Sequence, residues 1–241
     1  MAFCEIRGLD EFQVNLFPVF LVHHSSDQYV VIVMAKRLTP TQRTVQAYEA
    51  HQDLYLQQWN TRTFKVPPHL TALIAHVPKS GMLLDLGCGP GQDTRYLRRK
   101  GFHVYGVDLT WSFLQAAKIR APRLPVMQAD MRRLPFSPHV FDGIWAAASV
   151  IHLPKAQART LLRRLLTLTK PGGWLAMTVM YGREVGVPQK QWIAGRYLAK
   201  WHKAELKHVV QAAAWNIVSI ERVKHQERKG DWLNLLATRP D

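Results

Sequence analysis

Apolar positions recur at two different periods along this chain, and the change of period divides it. From Thr41 to Trp59, Val45, Tyr48, Leu54 and Leu56, with Tyr55 fitting less cleanly, fall near helical spacing without Gly or Pro, which predicts a helix. Pro67-Pro68 opens a second, short helix over His69–His76, because proline is accommodated in a first turn. Beyond it come five short apolar runs, Met82–Leu86, His103–Val107, Pro125–Ala129, Phe141–Ala147 and Trp174–Val179, most of them separated by helix-compatible stretches of roughly ten to seventeen residues. That alternation predicts an α/β fold with a parallel sheet and crossover helices. Lys170-Pro171-Gly172-Gly173 reads as a turn that stops the preceding helix. A helix over His202–Ala214 and strands over Asn216–Val223 and Trp232–Thr238 complete the pattern. At the other end, Leu16–Val22 and Tyr29–Met34 are β-prone runs around a polar turn and predict a hairpin.

Composition narrows the class. With 241 residues, 47% of them hydrophobic, the chain suits one domain of about 200 residues and an appendage. Two cysteines, Cys4 and Cys88, are too few for a disulfide scaffold and too far apart for a structural zinc site, so a reducing, cytoplasmic setting is the expectation. No run approaches the ~18 apolar residues of a membrane span, and none reads as a signal peptide. Residues 1–40 hold three Lys/Arg against four Asp/Glu, net −1, whereas the rest holds 29 against 13, net +16. Met34-Ala35-Lys36-Arg37 resembles an ordinary chain start. Residues 1–40 are therefore expected to be a dispensable extension and 41–241 the functional domain. The positive field favours acidic partners, RNA among them, without specifying one.

Chemistry is most concentrated in Leu83-Leu84-Asp85-Leu86-Gly87-Cys88-Gly89-Pro90-Gly91-Gln92-Asp93-Thr94, a strand that runs into three alternate glycines and then a helix. Glycines at such a junction let backbone approach a ligand. Asp85, Asp108, Asp130 and Asp142 lie at or beside the ends of four successive predicted strands, in a region with only thirteen carboxylates. Because the carboxyl ends of parallel strands converge on one crevice, these acids are expected to meet at a ligand site. Asp108, 21 residues after Gly87, is placed to accept hydrogen bonds from both hydroxyls of a ribose. The loop departs from the dinucleotide fingerprint: Gln92 stands where a third glycine would, and Asp85 would repel a pyrophosphate but attract an ammonium group. A nucleoside with an amino-acid end is the ligand this suggests.

Asp85-Leu-Gly-Cys-Gly-Pro-Gly91, Gly106-Val-Asp108, Gln128-Ala-Asp130-Met131 followed by Leu134-Pro135-Phe136, Phe141-Asp142 and Lys170-Pro-Gly-Gly173 together resemble the ordered motifs of class I S-adenosylmethionine-dependent methyltransferases. The resemblance spans about residues 42–238. It implies a Rossmann-like, doubly wound sheet of seven strands, mostly parallel with the last antiparallel, and S-adenosyl-L-methionine as cofactor. It further implies that Gly87, Gly89 and Gly91 line the methionine half, that Asp108 holds the ribose, that Asp130 and Met131 meet the adenine, and that Asp85, Cys88, Leu109 and Ala147 complete the cofactor site. Tyr48-Glu49 and Tyr55 resemble the entry helix of the family's small-molecule branch, with Gln52 in place of the usual Ala. His152 follows the fourth strand, where the family often has a His pair, and is the candidate catalytic residue, as base or as orienting group.

Between Met180 and Lys203, Tyr181, Arg183, Trp192, Arg196, Tyr197 and Trp201 are expected to cover the crevice, and aromatic walls with cations suit a planar or anionic small molecule. Gly195-Arg196-Tyr197 and Asp231-Trp232-Leu233 resemble the small-molecule branch. Two alternatives stand beside that reading. One is a tRNA or rRNA methyltransferase, suggested by the charge, by Val150-Ile151-His152 and by the stripe Lys155, Arg159, Arg163, Arg164; the other is a subunit that binds the cofactor without catalysis.

Overall fold

The computed structural model describes residues 19–24, 28–33, 38–61, 64–188, 191–224 and 230–241. The chain divides into two units, residues 1–39 and 40–241. In the first, β1 (Val19–His24) pairs antiparallel with β2 (Gln28–Val33), from Val19 opposite Val33 to His24 opposite Gln28. The hairpin is thus formed, with part of each expected run (16–18 and Met34) outside the described residues.

The second unit opens with α1 (Pro40–Ala50), α2 (Gln52–Thr61) and α3 (Pro68–His76). The single helix expected over 41–59 is therefore two, and His51 is the reason. Its ring Nδ1 bonds to the Ala47 carbonyl (2.9 Å), the acceptor its own amide would use in a continuing helix, and that amide turns to the Tyr48 carbonyl (3.3 Å).

Strands and helices then alternate: β3 (Met82–Leu86), α4 (Gln92–Arg99), β4 (His103–Asp108), α5 (Trp111–Arg120), β5 (Val126–Gln128), β6 (Phe141–Ala147), α6 (Lys155–Leu168), β7 (Thr169–Met180), the short pair β8 (Val185–Gly186) and β9 (Leu198–Ala199), α7 (Lys203–Ala212), β10 (Asn216–Lys224) and β11 (Asp231–Thr238). Seven strands form one sheet in the order β10-β11-β7-β6-β3-β4-β5. All neighbours from β7 to β5 are parallel, and β11 runs antiparallel to both β7 and β10. This is the expected doubly wound sheet. Lys170-Pro-Gly-Gly173 does make the expected turn, but as a bulge within β7: Phe141 pairs with Thr169 and Gly143 with Trp174, so the residues between are looped out.

Both faces of the central strands are covered, which is why their sequences are almost continuously apolar. Leu83, Trp145 and Ala176 pack with Leu70, Leu73 and Leu97 on one face; Leu84, Leu86, Ile144 and Met177 pack with Leu161, Leu162, Leu165 and Trp215 on the other. The basic side of α6 is largely tied into the protein. Lys155 pairs with Glu205 (2.8 Å), Arg159 bonds to the Ala212 carbonyl (3.3 Å), and Arg164 reaches the carbonyls of Leu134 and Phe136 (3.0 and 2.9 Å).

One expected site acid is misplaced by the sequence reading. Asp142 lies at the start of β6, at the edge of the sheet opposite the crevice. Its carboxylate accepts from the Met82 amide (2.7 Å) and pairs with Lys170 (2.8 Å), bracing the beginning of β3 and the bulge of β7. A strand has two ends, and residue order alone did not separate them.

Candidate active site

The carboxyl ends of the parallel strands border a cavity of about 1370 Å³. Its base is the loop after β3. Gly87 and Cys88 both donate their amides to the Val107 carbonyl (2.7 and 3.0 Å), which pins the loop to the end of β4. Asp108 completes the link: Oδ2 accepts from the Gly89 amide (2.9 Å) and Oδ1 from the Thr110 amide (2.8 Å). The Thr110 side chain and the Leu109 amide also favour this carboxylate, which lines the cavity.

The three glycines do three different things. A Cβ at Gly89 would meet only the Tyr55 hydroxyl, at 3.8 Å, so backbone is open to the cavity there. At Gly87 it would lie 2.3 Å from Ser149 Cβ. At Gly91 it would lie 2.7 Å from Leu124 and 3.2 Å from Ala117, and Gly91 does not line the cavity. Its missing side chain lets the start of α4 pack against α5 and the turn after it.

Asp85 is buried and accepts from the Thr94 hydroxyl (2.6 Å). Burial, with the charges of Asp93 and Asp108 nearby, pushes its carboxyl up to about 8. Burial also raises Asp108. Neither acid has a cationic partner among the described residues, and no group of acids there is arranged to hold a metal ion. The Cys88 thiol is raised as well, by burial and then by Asp85 and Asp108, and is held neutral. Asp93 accepts from the Trp145 indole (2.8 Å).

Leu109, Asp130, Met131 and Ala147 line the same cavity. Asp130 is committed in part to the chain itself: it accepts from the amide and Nε of Arg132 (both 2.9 Å), capping the short 3₁₀ turn Met131–Arg133. Although burial opposes it, those bonds hold its carboxyl below the ordinary range.

His152 stands in the 3₁₀ turn Val150–His152 after β6. Nδ1 is 2.9 Å from the Tyr197 carbonyl, which can only accept, so Nδ1 carries the proton. Nε2, 2.9 Å from the Tyr48 hydroxyl, therefore accepts from it. Burial above all, with the charge of Arg196, pushes the imidazole down to about 4, against a bond to Tyr197 that favours the charged form. It is neutral at pH 7 with both nitrogens engaged.

Helix α1 and the segment before β9 interlock around this histidine. Thr44 Oγ1 accepts from the Tyr197 amide (3.0 Å), and Arg196 Nη1 donates to the Tyr48 hydroxyl (3.0 Å). Tyr48 meets Tyr55 edge-on (5.4 Å), and Tyr55 stacks with Phe113 (4.4 Å) and Trp192 (5.4 Å). Glu49 turns elsewhere, accepting from the Trp111 amide (2.7 Å) at the start of α5. Of the six aromatic and basic residues expected over the crevice, only Trp192 and Arg196 line it. Tyr181 lies under Arg222 (3.9 Å), Trp201 under Lys155 (5.1 Å), and Arg183 donates to His202 (3.1 Å).

Sequence reasoning passed over Ser149, Phe113 and Asp93. Ser149 is the most telling: it lines the cavity, is buried, and its hydroxyl has no hydrogen-bond partner among the described residues. Its only signal was its position, directly after the fourth strand.

Comparison with known proteins bears on this arrangement. Residues 83–173 match the model of a family described as a methyltransferase domain. The malonyl-[acyl-carrier protein] O-methyltransferase of Salmonella typhimurium is 35% identical over 98 residues, 41% of this chain and 38% of that protein. The trans-aconitate 2-methyltransferase of Azoarcus sp. is 35% identical over 151 residues, 59% of this chain and 57% of that protein. The chain thus spans between 36% and 63% of the length of these curated relatives. Among solved structures, the Burkholderia thailandensis 1,6-didemethyltoxoflavin-N1-methyltransferase, with its substrate and S-adenosylhomocysteine bound, superposes with a TM-score of 0.66 over 91% of this chain and 99% of that one, at 23% identity. Matched family model, strand order and glycine loop agree: residues 83–173 carry a methyltransferase domain, and together these findings support a class I S-adenosylmethionine-dependent methyltransferase.

Proposed function

We propose that this chain transfers a methyl group from S-adenosylmethionine to a small-molecule acceptor. The observation that carries the reading is a pair of acids, the buried Asp85 and the half-buried Asp108, with no cationic partner among the described residues, beside backbone left open at Gly89. Uncompensated buried carboxyls are costly, and a ligand bearing both an ammonium group and a ribose would satisfy both. The unpaired Ser149 hydroxyl at Gly87 supports the fit. In this reading Asp85 attracts the ammonium end, Asp108 accepts from the ribose hydroxyls, and Leu109, Asp130 and Met131 border the base. Bound there, the cofactor supplies an electrophilic methyl group on a sulfonium.

His152 then acts by position. With its proton on Nδ1 and its basicity depressed, it fixes the Tyr48 hydroxyl, and Tyr48 in turn holds Arg196. Alignment alone can supply roughly 7–11 kcal/mol of a barrier, against about 3–5.5 kcal/mol from a general base, so a base is not required of this histidine. Of the relatives' names, trans-aconitate 2-methyltransferase supports a small acceptor, whereas malonyl-[acyl-carrier protein] O-methyltransferase names an acyl group carried on a protein. The engagement of Lys155, Arg159 and Arg164 within the protein weighs against α6 as an RNA-binding face.

Incubation with methyl-tritiated S-adenosylmethionine and either the small-molecule fraction of a cell extract or purified tRNA tests the proposal. Label is expected in the small-molecule fraction. Label on tRNA alone would replace the acceptor class, and label on neither would leave a cofactor-binding protein without this activity.

A further inference from the structure

We propose that Arg196 is a carboxylate receptor, and that the carboxylate it takes belongs to the methyl acceptor. Resting on the reading of the cleft above, the inference begins from a charge without a counter-ion. Arg196 is 6% exposed, yet no carboxylate pairs with it among the described residues. Its Nε donates to the Ile193 carbonyl (3.2 Å) and Nη1 to the Tyr48 hydroxyl (3.0 Å). Those bonds use two of the five N–H donors of a guanidinium, and the residue lines the cavity. Nearby groups do not offset the charge: His152 is neutral, and Glu184, the acid of the same segment that lines the cavity, pairs with Lys200.

The geometry around Arg196 is that of a prepared fork. The guanidinium lies over the rings of Tyr48 (5.2 Å) and Trp192 (5.4 Å), which hold its plane. The neighbouring Tyr197 backbone is clamped between Thr44 and His152. A planar fork held in place matches a carboxylate in two parallel hydrogen bonds. Strand order separates this group from the cofactor acids. Asp85 and Asp108 end β3 and β4, whereas Arg196 is tied to His152 beyond β6 and belongs to the segment that follows β7. The cleft thus has an acid-lined part and a cationic one.

The same chemistry has a second source, the carboxylate of the cofactor's own methionine, and the test separates the two. Calorimetry would be run on the whole chain, wild type, Arg196→Gln and Arg196→Lys, with S-adenosylhomocysteine, with 5′-methylthioadenosine, which lacks the amino-acid end, and with acetate, malonate and benzoate beside their amides. Carboxylates are expected to bind the wild type saturably and their amides not. Arg196→Gln should lose at least about tenfold in carboxylate affinity, the scale of one charge-assisted bond, with Arg196→Lys between, and both variants should keep wild-type affinity for S-adenosylhomocysteine. Carboxylate binding that is absent from the wild type, or equal in Arg196→Gln, overturns the proposal. So does a variant that loses S-adenosylhomocysteine but keeps methylthioadenosine, since the guanidinium would then serve the cofactor. Wild-type protein that binds carboxylates but neither nucleoside would instead sink the cofactor reading and leave Arg196 as a receptor.

Discussion

Gly87, Gly89 and Gly91 look interchangeable in the motif, and their surroundings make them separable by experiment. Alanine at Gly89 should fold, at a cost of about 1–2 kcal/mol for a side chain at φ +52°, because only the Tyr55 hydroxyl is near, and should weaken S-adenosylhomocysteine binding by filling the open face. Alanine at Gly87 or Gly91 should instead lose stability first, since the new Cβ would collide with Ser149, or with Leu124 and Ala117. Thermal melts beside calorimetry check this, and a Gly91→Ala protein as stable as wild type but unable to bind would contradict it. The sequence marked the loop, because strand–glycines–helix with an acid ahead of it is a local pattern. It could not mark which glycine faces a ligand, because Leu124 and Ser149 come from distant positions. Ser149 and Phe113 were illegible for the same reason.

At the scale of elements, the alternation of apolar runs and helical stretches is enough to read β3, β4, β5 and β6 within a residue or two, since buried parallel strands are apolar on both faces, whereas β7 begins at Thr169, ahead of the expected Trp174. Three features escaped it: the break at His51, made by a side chain competing for a backbone carbonyl; the bulge in β7; and the end of β6 on which Asp142 lies. Each depends on hydrogen bonds rather than on periodicity. The first domain-bearing helix, α1, starts at Pro40 and contributes Thr44 and Tyr48 to the interlock with Arg196 and Tyr197. We therefore expect a chain beginning at Met34 to keep its melting temperature within a few degrees, or about 1 kcal/mol, and to bind S-adenosylhomocysteine unchanged. An insoluble or non-binding truncated chain would make residues 1–33 part of the domain.

At the scale of the molecule, a strongly basic chain lines its cleft with carboxyls that have no cationic partner, and with a guanidinium that has no anionic one, among the described residues. That arrangement, more than the net charge of +15, is what the fold does with its titratable groups. It also makes cofactor binding visible as a proton. Asp85, with its carboxyl at about 8, is mainly protonated at pH 7. An ammonium group beside it favours the charged form, lowers that value and expels the proton. S-adenosylhomocysteine should therefore bind more tightly as pH rises from about 7 toward 8. Titrating it into the protein at pH 7, in two buffers of different ionisation enthalpy, is the most direct measure of whether the acid-lined part is the cofactor site. The account predicts net proton release for the wild type, little or none with 5′-methylthioadenosine, and none in Asp85→Asn; an absence of binding, or proton release equal for all three, would contradict it.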